Sequence, residues 1–154
     1  MTNETKTIYF DMDGTIADLY GVDNWLDYLI RGKTYPYENA KPLVNMQVLA
    51  RYLNKLQKQG YRIGVISWGS KNATPLYLQE ITEVKKAWLR KRLRSVKFDF
   101  IHVLPYGFEK ETFCTNPEDI LFDDEEKNRT NWNIRGKAYK ESEIFEVLKS
   151  LLTA

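Results

Sequence analysis

The chain has 154 residues, of which 43% are hydrophobic and 29% charged, and this composition predicts one soluble globular domain with a real core over residues 1–154. The formal net charge of +2 predicts neither nucleic-acid nor membrane binding by bulk electrostatics, and no stretch approaches the roughly 20 apolar residues of a membrane span. The first six residues lack the apolar core of a secretory signal, and the single cysteine, Cys114, excludes an internal disulfide, so we expect a cytoplasmic protein.

The first half of the chain predicts a strand, an irregular segment and a helix. Residues 5–10 are rich in β-forming side chains and predict the first strand. Residues 18–41 carry many aromatic side chains without a long periodic pattern, and a short helix is expected there at 24–31. A clearer helix is expected to begin at Pro42, because proline is tolerated in the first helical turn, and to end at Gly60. Its apolar side chains recur at helical spacing: Met46, Leu49, Ala50, Leu53 and Leu56.

The second half predicts further strands that alternate with helices. Residues 61–66 predict a second strand, a loop covers 67–75, and a helix with a strongly basic face follows at 78–93. A strand is expected within 98–104, where His102 is expected to pack in the core. Four more elements come after a loop at 105–117: a strand at 120–122, a helix at 125–132, a strand at 137–139 and an amphipathic helix at 141–152.

Strands that alternate with helices predict an α/β fold, here a three-layer Rossmann-like parallel sheet with helices on both faces. Such sheets bind ligands at the carboxyl ends of their strands. Three of the predicted strands end in polar side chains that are suited to chemistry: Asp11 after the first, Ser67 after the second and Asp123 after the strand at 120–122. We therefore expect residues that are far apart in sequence to meet at one edge of the sheet.

The segment Asp11-Met12-Asp13-Gly14-Thr15 carries the most informative pattern of the chain. Two carboxylates separated by one residue leave an apolar strand and enter a Gly-Thr turn. One of them can act as a nucleophile toward phosphorus while the other exchanges protons with the ester oxygen, and such carboxylates suit Mg²⁺. A calcium loop of the EF-hand type is not indicated, because glycine does not come at its required position and the final glutamate is missing.

These residues resemble the haloacid dehalogenase (HAD) superfamily, specifically its phosphatase branch, and the resemblance covers nearly the whole chain. Its first motif, D-x-D-G-T, matches residues 11–15. Its second motif, a Ser or Thr after a hydrophobic strand, matches Ser67, with Ser70 as the alternative. Its fourth motif, an acidic pair after a strand, matches Asp123-Asp124. Small HAD-like proteins of phages and bacteria are similar at Tyr106-Gly107 and at Phe122-Asp123-Asp124, and deoxyribonucleotidases are a more distant likeness.

The resemblance implies a role for each motif residue. Asp11 would attack the phosphoryl group and form an aspartyl-phosphate, and Asp13 would protonate the leaving oxygen and then activate water. The carboxylate of Asp11, the backbone carbonyl of Asp13 and the acidic pair Asp123-Asp124 would hold Mg²⁺. Ser67 would donate a hydrogen bond to a phosphoryl oxygen.

The third motif of the superfamily is a lysine that neutralises the phosphate, and two positions compete for it. Lys110 is preferred as the catalytic residue, because it follows a predicted strand on the active-site edge and precedes Asp123. Lys85 or Lys86, in the predicted helix at 78–93, is the alternative, and two lysines could serve together. Substrate contacts are expected from four residues: Gly14, Thr15, Trp68 and Lys86.

Three functions are open for such a site. The first is a phosphomonoesterase for a nucleotide or another small phosphorylated substrate, and the second is a phosphatase of nucleic-acid ends guided by the basic helix residues 85–94. The third, a non-catalytic phosphate-binding protein, is disfavoured because every motif residue needed for turnover is present. The resemblance also implies that residues 18–41 form a small cap over a fairly open site, where aromatic side chains either pack on the core or stack on a nucleobase. No oligomeric state is indicated.

Overall fold

The structure, a computed structural model, describes residues 4–153. The domain was predicted over residues 1–154, so its two ends lie outside the described residues. These ends are residue 154 and residues 1–3, the latter being part of the N-terminal segment that lacks the features of a secretory signal. A five-stranded sheet forms the centre: β1 (Thr7–Phe10), β4 (Arg62–Trp68), β5 (Phe100–Leu104), β6 (Ile120–Phe122) and β7 (Lys137–Tyr139). The strand order is β5-β4-β1-β6-β7, and every neighbouring pair is parallel.

Successive side chains of β1 alternate between the two faces of the sheet, as they must in a strand. Ile8 and Phe10 share one core cluster with apolar side chains of α3 (Met46–Lys58), α4 (Pro75–Arg92) and α6 (Ile144–Thr153). Tyr9 instead packs with Trp132 of α5 (Glu126–Trp132), and their ring centroids lie 5.6 Å apart. The sheet therefore lies between two helical layers, with α3, α4 and α6 on one face and α5 on the other. The predicted α/β fold is confirmed.

Helix α3 begins at Met46 and not at Pro42, so the predicted start of this helix was wrong. Lys41–Pro42 instead form a short strand, β3, which pairs antiparallel with β2 (Ala17–Asp18). Proline has no N–H to donate, and for that reason it suits a short edge strand as well as a first helical turn. The helix is started by Asn45, whose side chain accepts a hydrogen bond from the Val48 N–H at 3.1 Å.

The end of α3 follows the prediction. The helix stops at Lys58, and Gly60 then adopts a φ of +99°, the left-handed conformation that glycine supplies after a helix. Between β2 and β3 lie a 3₁₀ turn, Leu19–Gly21, and two short α-helices. Helix α1 (Trp25–Ile30) was predicted at 24–31, and α2 (Tyr35–Asn39) was not predicted.

The second half of the chain follows its predicted pattern closely, with two additions. The loop at 105–117 contains a 3₁₀ turn, Lys110–Phe113, and another 3₁₀ turn, Glu141–Glu143, precedes α6. His102 is half-buried, with its ring centroid 4.3 Å from that of Phe113, and burial lowers the pKa of its imidazole. No helix within residues 4–153 is long and apolar enough to span a membrane.

Candidate active site

The first motif forms a tight turn at the carboxyl end of β1. The backbone N–H of Asp11 donates to the carbonyl of Phe122 at 2.9 Å, which joins this turn to the end of β6. The Met12 carbonyl then accepts hydrogen bonds from the N–H groups of residues 15–17 at 2.9–3.0 Å. The Met12 side chain is buried in the core, whereas Asp11 and Asp13 both line a cavity at the sheet edge. The turn thus presents both carboxylates of the motif to one space.

Gly14 and Thr15, which were expected to contact substrate, lie behind the cavity and position its acidic side chains. Gly14 has a φ of +83°, and a Cβ at this position would collide with the carboxylate of Asp124, so the turn requires glycine. The Thr15 hydroxyl is fully buried and donates to Asp11 Oδ2 at 2.9 Å. Neither residue lines the cavity, and their expected substrate contacts stay predictions.

The two acidic motifs meet as the strand order predicts. Asp11, Asp123 and Asp124 each offer one carboxylate oxygen, and these oxygens all lie within 4.8 Å of one another. We call the charged side chains at these strand ends the floor of the cavity: Asp11, Asp13, Lys110, Asp123 and Asp124. Four carboxylates and one ammonium group therefore face a common space.

Asp123 is the most firmly held carboxylate of the floor. Its Oδ1 accepts from the Glu125 N–H at 3.0 Å, and its Oδ2 accepts from Lys110 at 2.8 Å and from Asn128 Nδ2 at 3.1 Å. Asn128 lies on α5, is buried and lines the cavity. Asn128 was not among the predicted site residues, although a polar residue one helical turn after an acidic pair is a signal for such a contact.

Burial, together with the crowding of like charges, raises the pKa values of the acidic pair. Burial and the Asp11 carboxylate raise the pKa of Asp123 to about 6, and burial with Asp11 and Asp123 raises that of Asp124 to about 8. One further positive charge on the floor would relieve this repulsion. Closely spaced carboxylate oxygens are hard ligands of the kind that Mg²⁺ takes, so these three residues fit the cation that the sequence predicted. The Asp13 carboxylate is not part of this group.

Lys110 occupies the centre of the floor. It lies in the 3₁₀ turn after β5, is 2% exposed, and donates to Asp11 Oδ1 and to Asp123 Oδ2, both at 2.8 Å. Burial alone would lower the pKa of its ammonium group, but the two carboxylates outweigh burial and raise that pKa. Lys110 therefore stays positively charged and bridges the first and fourth motifs, at the position for which it was preferred.

Lys85 holds the second aspartate of the first motif. Although it belongs to the helix that was predicted to have a solvated basic face, its side chain is 1% exposed and its ammonium group donates to Asp13 Oδ2 at 2.9 Å. The same group donates to Ser67 Oγ at 2.6 Å and to the Trp68 carbonyl at 2.8 Å. Ser67 is consequently buried behind Lys85, does not line the cavity, and reaches Asp13 only through this lysine.

The neighbouring lysines of α4 lie in different surroundings. Lys86 is half-buried and does not line the cavity, and its expected contact with substrate stays a prediction. Adjacent residues of a helix point in directions about 100° apart, and only Lys85 shares the buried face of Ile81 and Trp88. That spacing, a lysine at an apolar position of a helical pattern, was the available signal for Lys85.

Above the floor lies a cavity of about 460 Å³ with an apolar cover. We call residues 18–41 the roof, because they form most of that cover. Its side chains at the cavity include Tyr20, Trp25, Leu26, Leu29, Ile30 and Tyr37. Tyr37 is buried and its hydroxyl group lies 2.7 Å from Ser70 Oγ in the loop after β4, which joins the roof to the opposite wall.

The opposite wall carries Trp68 and Tyr106, which both line the cavity. The Trp68 indole N–H donates to the Phe108 carbonyl at 2.9 Å, and its ring centroid is 5.0 Å from that of Tyr106. Trp68 therefore has the exposure that its predicted contact with substrate requires. Lys71 lies at the rim on this side, with its ammonium group 5.2 Å from the centre of the Tyr106 ring.

The remaining basic residues of α4 lie away from the cavity. Helix α4 leads from the carboxyl end of β4 to the start of β5, so its last turn, with Arg90 and Lys91 exposed, lies toward the opposite edge of the sheet. The guanidinium group of Arg92 lies over the Trp88 ring at 4.5 Å. The basic surface predicted at 85–94 is therefore not continuous with the floor.

Comparisons with known proteins address the fold. No protein-family model matches the sequence, and the comparison with curated proteins finds no match. Among solved structures, the chain is similar to the crystal structure of D,D-heptose 1,7-bisphosphate phosphatase from Burkholderia thailandensis. The TM-score is 0.53 at 15% sequence identity, over 86% of this chain and 75% of that chain. This likeness supports the predicted fold, and the resemblances to the HAD superfamily and to deoxyribonucleotidases stay predictions.

Proposed function

We propose that this chain is a Mg²⁺-dependent phosphomonoesterase that works through a phosphorylated Asp11, and that its substrate is a nucleotide or another small phosphate. One observation carries the proposal: the carboxylates of Asp11, Asp123 and Asp124 converge within 4.8 Å on a floor that also holds the buried Lys110. The structural neighbour is itself described as a phosphatase, which supports the same class of reaction.

Asp11 is the proposed nucleophile. A carboxylate oxygen of Asp11 would attack phosphorus, and the bond between phosphorus and the ester oxygen would break. Lys110 donates to one Asp11 oxygen and Thr15 to the other, so the carboxylate is fixed while each oxygen keeps a further lone pair. The ammonium group of Lys110 also offsets the negative charge that an anionic substrate meets on this floor.

Asp13 is the proposed acid and base. It would give its proton to the leaving oxygen in the first step, and in the second it would take a proton from the water that releases inorganic phosphate from Asp11. Burial raises the pKa of Asp13, although Lys85 opposes the shift, and a raised pKa favours the protonated form that the first step needs. Lys85 and Ser67 behind it hold the Asp13 carboxylate in place.

The proposed magnesium site uses Asp11, Asp123 and Asp124, with the backbone carbonyl of Asp13 as the resemblance implies. Apart from Lys110 and Lys71, every charged side chain that lines the cavity is acidic. When bound, the cation would supply the positive charge that lets a phosphate group approach an anionic nucleophile.

The cavity favours a small substrate over a nucleic-acid end. Its volume of about 460 Å³ is in the range of sites for small molecules. The rings of Trp25, Trp68 and Tyr106 offer flat apolar surfaces on which a nucleobase or another ring could pack. The basic end of α4, which would have guided a nucleic-acid strand, lies toward the other edge of the sheet.

Hydrolysis of 4-nitrophenyl phosphate tests the proposal. We expect turnover with Mg²⁺, none after chelation by EDTA, and recovery when Mg²⁺ is added back. Asp11→Asn should lower kcat by about 10⁴-fold or more with an unchanged circular dichroism spectrum, since it removes the nucleophile. Glu126→Gln, which alters an exposed acid on α5, is the matched control and should keep full activity. Full activity of Asp11→Asn, or of the chelated enzyme, would contradict the proposal.

A further inference from the structure

The wall opposite the roof carries a row of alternating cations and rings. The Lys110 ammonium group lies 5.1 Å from the centre of the Trp68 ring, the centroids of Trp68 and Tyr106 are 5.0 Å apart, and the Lys71 ammonium group lies 5.2 Å from the centre of the Tyr106 ring. All four residues line the cavity. The row therefore leads from the floor to the rim and has a positive charge at each end.

The two cations of this row differ in how their charge is balanced. Lys110 is buried between two carboxylates, so its charge is already compensated. Lys71 is exposed, and within the described residues it forms no salt bridge. It is the cation at the cavity whose charge no carboxylate of residues 4–153 offsets, and it is therefore available to an anionic group of a ligand.

The loop that carries Lys71 is hydrogen-bonded to β5 before that residue and closes a turn around it. The Gly69 N–H donates to the Leu104 carbonyl at 2.7 Å, and the Ala73 N–H donates to the Ser70 carbonyl at 3.2 Å. Ser70 Oγ also lies 2.7 Å from the hydroxyl group of Tyr37 in the roof. These contacts hold the backbone next to Lys71, and the Tyr106 ring supports its ammonium group.

We propose that Lys71 binds a second anionic group on the leaving group, so that the preferred substrates are phosphomonoesters that also carry a phosphate or a carboxylate. This inference rests on the proposed phosphatase function and specifies which esters it selects. The phosphoryl group to be transferred lies on the floor, the body of the leaving group lies along Trp68 and Tyr106, and its second anion reaches Lys71. Lys71 is thus a specificity residue and takes no part in breaking the ester bond.

Four aryl phosphates that share one ring test the proposal: phenyl phosphate, 4-carbamoylphenyl phosphate, 4-carboxyphenyl phosphate and 1,4-phenylene bisphosphate. The first two have uncharged leaving groups, and the carbamoyl ester matches the carboxy ester in shape. We expect Lys71→Gln to lower kcat/KM for the carboxy ester and the bisphosphate about tenfold, mainly through KM, which corresponds to about 1.4 kcal/mol. The two neutral esters should change less than twofold.

Two further variants separate charge from structure. Lys71→Arg keeps the positive charge and should retain the preference for anionic leaving groups. Lys58→Gln removes an exposed lysine at the end of α3, outside the cavity, and should leave all four substrates unchanged. Because each substrate is compared with itself across the variants, differences in intrinsic leaving-group reactivity cancel.

The outcomes also separate this inference from the proposed function. If Lys71→Gln affects the neutral and anionic esters equally, or affects none of them, the inference is wrong while the phosphatase stands. A loss confined to the bisphosphate supports a phosphate as the second anion, and a loss for both charged esters supports either anion. If the wild-type protein with Mg²⁺ hydrolyses 4-nitrophenyl phosphate but none of the four esters, this inference alone is overturned, and if it hydrolyses none of the five, the proposed function is overturned as well.

Discussion

The floor and the roof enclose the same cavity, yet they differ in how firmly contacts hold their side chains. On the floor the carboxylates and Lys110 are interlinked by short hydrogen bonds, and within residues 4–153 no buried side-chain nitrogen or oxygen lacks a partner. On the roof, α1 has no buried residue at all, and the side chains of Leu26 and Ile30 are 54% and 75% exposed. Polar groups that are held in a buried hydrogen-bond network cannot move without a large cost in free energy. Exposed apolar side chains can change conformation at little cost.

This difference suggests a division of labour between the two regions. The floor has the fixed geometry that the proposed chemistry at one phosphorus atom requires. The two ends of the roof pair with each other in the β2–β3 ribbon, and the roof contacts α4, where the Tyr77 hydroxyl group donates to the Lys33 carbonyl at 2.6 Å. We therefore expect changes on the floor to act on kcat and stability, and changes on the roof to act on substrate preference.

Among the variants that test this difference between floor and roof, Asp13→Ala should lower kcat the most. It removes the proposed acid and base, and general acid–base catalysis contributes about 10²- to 10⁴-fold. The loss of kcat should be greater for an alkyl phosphate than for 4-nitrophenyl phosphate, because a poor leaving group depends more on receiving a proton. Steady-state kinetics on both esters measures the difference. An equal loss on both, or no loss, would remove Asp13 from the role of general acid.

The floor could be predicted from sequence because a parallel sheet dictates where its strands end. Asp11 and Asp123 follow apolar runs, and once these runs are neighbouring strands the carboxylates must meet. Ser67 shows the limit of this logic. It does lie at the same edge, but the sequence could not tell that Lys85 would come between it and the cavity. That contact depends on the rotation of α4 against the sheet, which only the packed structure fixes.

The local structure of the roof could not be predicted from the sequence. Its segments β2, α2 and β3 span only two to five residues each, too short for a periodic pattern to appear. Their conformation depends on tertiary contacts, such as the hydroxyl groups of Tyr37 and Tyr77 reaching Ser70 and the Lys33 carbonyl. Propensity alone therefore placed a helix start at Pro42, where the structure has an edge strand.

Lys110→Met should give the largest loss of stability. It leaves the Asp11 and Asp123 carboxylates buried without their cation, and breaking a buried ion pair in this way costs about 3–5 kcal/mol. Urea denaturation measures the free energy of unfolding. Lys86→Met is the matched control, since it changes a half-buried lysine outside the cavity and should cost less than about 0.5 kcal/mol. If the two variants prove equally stable, the floor is not the interlinked network described above.

Asp119→Ala should separate buried acids that do chemistry from one that is structural. Asp119 is fully buried ahead of β6, at the edge of the sheet opposite the floor, and accepts hydrogen bonds from the backbone N–H groups of Thr7, Thr115 and Asn116 at 2.8–3.1 Å. Its loss leaves buried donors unsatisfied, at a cost of about 1–3 kcal/mol in unfolding free energy. Below the melting transition, kcat should stay within twofold of wild type. A large fall in kcat of the folded variant would show that a buried carboxylate far from the floor also controls the rate of the reaction.

The smallest effect should come from the roof, through Ile30→Ser. Ile30 lines the cavity but is 75% exposed, so the free energy of unfolding should change by less than about 0.5 kcal/mol. Burying a few tens of Å² of apolar surface against an aryl leaving group is worth about 1 kcal/mol, so KM for an aryl phosphate should rise about fivefold while kcat stays constant. Ile134→Ser is the matched control, because Ile134 is 80% exposed and does not line the cavity. If both variants leave KM unchanged, the roof does not contact the leaving group, and the selection of substrates must come from the wall of Trp68 and Tyr106 alone.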